Sequence, residues 1–177
     1  MSKNSWTNWL KLVLVVAIWL WGTGVGITQG SNEPSKASLA FERLKTLVGS
    51  WEAKTNKGKV LTSFELISGG TAILERDNVA QEAEMITVYH LDADRLILTH
   101  YCMAGNQPRM QARPFDPKSN EIHFDFVGAT NLTNPEAGHM YQVVLKFGAT
   151  EELTAEWTWY ENGKTGFTEP FLYHRVK

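Results

Sequence analysis

His100 and Cys102 stand two residues apart in the run Leu98-Thr99-His100-Tyr101-Cys102. In an extended chain, residues i and i+2 point to the same face, so an imidazole and a thiol are presented side by side. Both ligands suit zinc or copper, but such a site takes three or four of them. His123, His139 and His174 are scattered singly and offer no second pair. A Cys–His nucleophile needs the two groups in contact, whereas same-face neighbours on one strand stand about 6–7 Å apart. The pair therefore has three readings. It is a polar anchor in a ligand pocket, a metal or nucleophile centre, or a small buried hydrophobe beside a hydrogen-bonded histidine.

The remaining candidates follow from the same alternation. Glu169 alternates with Phe167, Phe171 and Tyr173. If that face is the inside, its carboxylate needs a partner, and Arg109 or His100 would serve; a register one residue off leaves it on the surface. Arg109 follows Asn106-Gln107-Pro108, a run of turn formers, where it could read a ligand carboxylate at a mouth or sit solvated beside a tight turn. Trp157 and Trp159 read as walls of a dry core or of a pocket, with Tyr89 and Phe124 on neighbouring inward faces. Asp92 and Asp94 flank a hairpin tip, where aspartate serves the turn. Asn131-Leu132-Thr133 has the form of a glycosylation sequon.

Short strands must carry these side chains. The hairpin 85–103 is the clearest. A turn at Ala93-Asp94 opposes Leu91 to Leu96, Tyr89 to Leu98, Thr87 to His100 and Met85 to Cys102, and opposed residues share a face. That face is expected to be the interior. Strands are also expected over 51–55, 60–66, 71–76, 109–113, 121–127, 140–147, 152–160 and 165–176. Asp77 to Glu84 reads as a polar connection. Asn162-Gly163 is a strong hairpin signal. About ten strands with no helix among them imply an all-β, antiparallel meander. It either closes into an up-and-down barrel of eight to ten strands or folds as a sandwich. Closure would remove the exposed edges of an open sheet.

One helix precedes the strands. Ala40, Leu44, Leu47 and Val48 fall on one helical stripe, Ser38 is placed to cap it, and Gly49 to end it. Upstream, 31–37 is a polar linker with a proline. Residues 1–30 have the form of a targeting segment: Lys3, an unbroken apolar run from Leu12 to Trp21, then small and polar residues. That run is shorter than a bilayer span of roughly 20 residues. The segment is expected to be a cleaved signal peptide or a retained anchor tethering the chain through 10–27. An exported chain, periplasmic or secreted, with Cys102 as its single cysteine, forms no internal disulfide. The net charge is −2, or −4 without Lys3 and Lys11, and there is no basic run. Nucleic acid is thus not expected as a partner.

Gly49-Ser50-Trp51 after a short helix, with Arg175 near the end of the last strand, resembles the lipocalins and related calycin barrels. In that family the glycine and tryptophan open the first strand, and a late arginine packs over the tryptophan to close the barrel base. The resemblance implies a lipocalin-like domain over 38–177 with Trp51 and Arg175 as the closure. His100-Tyr101-Cys102 and Asn106 to Met110 are also similar to a group of uncharacterised exported bacterial proteins with a lipocalin-like domain. Ten strands look more like fatty-acid-binding or nitrobindin-type barrels. The latter hold haem through a late histidine, for which His174 is the candidate, but Glu52-Ala53-Lys54-Thr55 stands where their glycine-rich run would be.

The leading expectation is a barrel that holds a small apolar or amphipathic molecule. Tyr89, His100, Cys102, Arg109, Phe124, Trp157, Glu169 and Tyr173 would line or orient the ligand. The alternatives are a metal- or haem-dependent enzyme using His100 and Cys102, and a filled barrel acting as an envelope interaction module. The residues name no cofactor and no oligomeric state.

Overall fold

The computed structural model describes residues 33–177 other than 57, 80, 81 and 150. The targeting segment expected at 1–30, with its possible tether at 10–27, lies outside the described residues.

The chain opens with helix α1 (Lys36–Lys45). Ser35 caps it, its Oγ accepting from the Ser38 backbone N–H at 3.1 Å, so the helix starts ahead of the expected Ser38 cap. Pro34 sits just before that cap. Arg43 and Lys45 occupy the last turn, where the helix dipole favours cations. Ala37, Ala40, Phe41 and Leu44 form the buried stripe.

Ten strands follow: β1 (Gly49–Thr55), β2 (Gly58–Ile67), β3 (Ala72–Val79), β4 (Met85–Asp92), β5 (Arg95–Tyr101), β6 (Gln107–Ala112), β7 (Glu121–Thr130), β8 (His139–Phe147), β9 (Glu152–Glu161) and β10 (Lys164–Arg175). Each pairs antiparallel with its chain neighbours, and β10 returns to β1, so the sheet is a closed barrel. This is an up-and-down architecture consistent with a calycin-like fold. The β4–β5 hairpin has the expected register: Leu91 faces Leu96, Tyr89 faces Leu98 and Thr87 faces His100. Its ladder ends at Ile86 and Tyr101, before Met85 could oppose Cys102.

Strand β3 differs from its sequence reading. It runs on to Val79, paired with β2 as far as Val60–Val79. Asp77 is therefore a strand residue rather than the start of a connection, and it and Glu75 have inward, buried side chains.

The closing seam joins the turn after α1 to the two strands that meet there. Trp51 opposes Arg175 across β1 and β10, and the guanidinium lies 4.3 Å from the indole centroid. Its two terminal nitrogens donate to the carbonyls of Val48 at 2.7 Å and Thr46 at 2.8 Å. Trp51 Nε1 donates to the Leu47 carbonyl at 2.7 Å. These carbonyls belong to the end of the helix turn, which leaves them without helical partners. Gly49 has φ +128°, and a Cβ there would stand 2.7 Å from Arg175 Nη1. Glycine is thus required both by the backbone and by the arginine.

Helix α1 packs against β4 and β5 at the end where β1 begins. Arg43 stacks over Phe147, 4.3 Å from its ring centroid, on the other side of the same end. Phe41, Leu44, Leu47, Phe64, Leu96, Phe124 and Leu153 fill that half of the interior. The barrel is plugged at one end by its own helix.

Candidate functional site

The other end of the barrel is formed by Thr55 and Gly58, Val79 and Met85, Tyr101 and Gln107, Thr130 and His139, and Glu161 and Lys164. A cavity of about 390 Å³ enters the barrel from here. That lies toward the small end of the range for ligand pockets, roughly 300–1,000 Å³. Met103 and Phe167 stand at the rim, 56% and 55% exposed. Met85, Met140, Trp157, Trp159 and Phe171 make apolar walls. The most deeply buried lining residues are His100, Tyr173, Asp77 and Trp157, three of which carry polar groups; Val79 and Cys102 are buried there too.

A belt of polar side chains underlies this floor. Asp77 accepts from the Thr62 hydroxyl at 2.6 Å. Glu75, two residues earlier on β3, accepts from the Tyr89 hydroxyl at 2.5 Å. His100 Nδ1 and the Thr87 hydroxyl are 2.9 Å apart, and the imidazole packs on Trp157 with ring centroids separated by 4.8 Å. His100 is 2% exposed, and its Nε2 has no hydrogen-bond partner. With Nδ1 tied to the wall at Thr87, Nε2 lies on the far side of a ring that lines the cavity.

Burial governs the electrostatics. Neither Glu75 nor Asp77 forms an ion pair. Burial pushes Glu75 well above the usual carboxyl range, and the negative charge of Asp77 adds to this; the Tyr89 and Thr87 hydroxyls pull the other way. Asp77 is raised to about 6, again by burial, against the opposing Thr62 hydrogen bond. Tyr89 and Tyr173 are both held up by burial and by the nearby acids. Burial lowers His100 to about 4, so its imidazole is neutral near pH 7. The Cys102 thiol is raised by burial, although the Ala104 N–H it accepts at 3.5 Å pulls it back. The sulfur is held in its protonated, weakly nucleophilic form.

The sequence candidates separate into three groups. His100, Cys102, Trp157, Glu169 and Tyr173 all line the cavity. Tyr89 and Phe124 are inward but sit below it, fully buried and packed on each other with centroids 5.7 Å apart. Arg109 is exposed and outside: Pro108 and Met110 are the buried residues of β6, and alternation turns Arg109 to solvent opposite Thr99 and Gly128. It cannot read a ligand carboxylate in the cavity. His174, the haem candidate, is exposed on β10 opposite Glu52. Among the described residues no three His, Cys, Asp or Glu side chains are grouped to hold a metal ion.

Asp77, with Glu75 behind it, is the site feature that sequence reading missed. The signal was present in the alternation Ile73, Glu75, Asp77, Val79, which puts two acids on an apolar face. Isolated acids near a polar stretch look like a strand ending, because buried unpaired carboxylates are rare. Phe167, Phe171 and Trp159 each fall on an aromatic face of their strand, but nothing in their spacing distinguishes a pocket wall from a packed core.

No model of a known protein family matches the chain, and no curated protein matches it.

Proposed function

We propose that this chain is an exported, lipocalin-like carrier that holds one small apolar or amphipathic molecule in the open half of its barrel. The cavity carries this reading: one end of the barrel is filled and capped by α1, while the other is hollow, walled by aromatic and methionine side chains, and rimmed by exposed Met103 and Phe167. Burying apolar ligand surface against those walls contributes roughly 25 cal/mol per Å². Polar groups confined to the floor fix one end of the guest. Export is supported by Lys3 and the apolar run Leu12 to Trp21; cell fractionation with N-terminal sequencing checks it.

Titration with decan-1-ol, read by tryptophan fluorescence, tests the binding itself. Trp157 and Trp159 both line the cavity and should report a saturable, one-to-one transition. Ala104→Trp, at the exposed rim, should weaken that binding about tenfold or more by blocking entry. A linear, unsaturable response in the parent protein would contradict the proposal.

A further inference from the structure

We infer that the cavity selects a cationic head group, a protonated amine carried on an apolar chain, with the nitrogen between Asp77 and Glu169. The inference rests on the binding reading above and adds the chemistry of the guest.

Among the described residues that line the cavity, Asp77, Glu82 and Glu169 are acidic and none is a lysine or arginine. The one basic lining residue, His100, is neutral near pH 7. A fatty carboxylate or sulfate would enter against Asp77 and Glu169, and no described lining residue is a lysine or arginine to meet it. Arg109, which could have supplied one, is on the outside of the sheet.

Asp77 is also under-partnered. Asp77 is 6% exposed and has a single hydroxyl, that of Thr62, to offset its lost hydration. A buried carboxylate without a cation is costly, and a ligand ammonium restores the missing half of the pair. His100 lines the same cavity, and its buried Nε2 has no hydrogen-bond partner. A barrel evolved to stay empty or to hold a hydrocarbon would gain from apolar residues at both positions.

The walls complete the site. Trp157, Trp159, Phe167, Phe171 and Tyr173 all face the cavity. Aromatic faces attract cations, the more strongly when desolvated. Acids with aromatic rings discriminate for a cation twice over.

Three probes of equal chain length test this at pH 7.5: decylammonium, decan-1-ol and decanoate. The inference expects decylammonium to bind about tenfold tighter than the alcohol, with decanoate weakest. Asp77→Asn should cut the ammonium-to-alcohol ratio to within about threefold. Glu169→Gln, at a half-buried position that folding depends on less, should reduce the same ratio. Alcohol or decanoate binding as tightly as the ammonium would overturn the inference and leave the carrier reading standing. An ammonium preference unchanged in both variants would also overturn it. If none of the three probes binds saturably, the carrier reading fails and the inference with it.

Discussion

Three buried residues with displaced pKa values make the stability of this barrel depend on pH in a way that can be worked out. Asp77 holds its proton up to about pH 6 in the folded chain, against 3.8 for an ordinary aspartate. Between those values the folded state binds more protons than the unfolded state, so stability falls as pH rises. Glu75 acts in the same sense, starting from 4.5 and extending higher. His100 acts oppositely: lowered from 6.5 to about 4, it makes the unfolded state the better proton binder, and stability rises with pH across that interval. From pH 4.5 to 6 two groups pull down and one pulls up, with Cys102, Tyr173, Glu82 and Glu169 the other titratable groups among the described residues of the same cavity. Stability is expected to fall over this interval. Asp77→Asn should flatten the fall and, at pH 8, stabilise the fold by on the order of 1–3 kcal/mol. His100→Gln should steepen it. Urea unfolding at pH 4.5, 6 and 8 checks both, and equal slopes in parent and D77N would contradict the assignment. At this scale the sequence was half legible. His100 and Cys102 announce themselves because two polar or reactive side chains alternate on an apolar face. Asp77 does not, since only the structure shows that β3 continues past it.

The elements hold their places through local chemistry that reads from the chain almost directly. The β4–β5 hairpin was legible because its apolar alternation is long and its turn short, which leaves one register that buries Leu96 and Leu98. Helix α1 was legible in its stripe but not in its cap, since Ser35 and Ser38 are both competent and the choice depends on Pro34 and the packing beyond. The seam is the element-scale test. Arg175 stacks on Trp51 and satisfies two carbonyls of the turn that joins α1 to β1. Arg175→Ala removes a cation–π contact of about 0.5–2 kcal/mol and leaves the carbonyls of Val48 and Thr46 to water. A loss of about 2–4 kcal/mol in chemical denaturation is expected, with Arg175→Lys recovering less than half because lysine lacks the planar fork. A loss below 0.5 kcal/mol, on the order of a neutral surface change, would show that the seam does not hold the barrel shut.

The whole molecule is asymmetric along its barrel axis, and that asymmetry decides between a carrier and a filled barrel. About ten antiparallel strands followed from the strand spacing, but it left barrel and sandwich both open and did not say whether the interior is packed or hollow. The same aromatic and aliphatic residues serve either end, and the difference lies in the helix occupying one of them. Methionine methyl groups report on this directly. Met85, Met103 and Met140 line the cavity, whereas Met110 is fully buried in the packed interior. The account predicts that adding decylammonium to protein carrying labelled methionine methyls shifts the NMR signals of Met85, Met103 and Met140 saturably and together, while Met110 stays in place. Shifts confined to Met110, or no saturable shift at any of the three cavity methyls, would contradict a guest held in the open end.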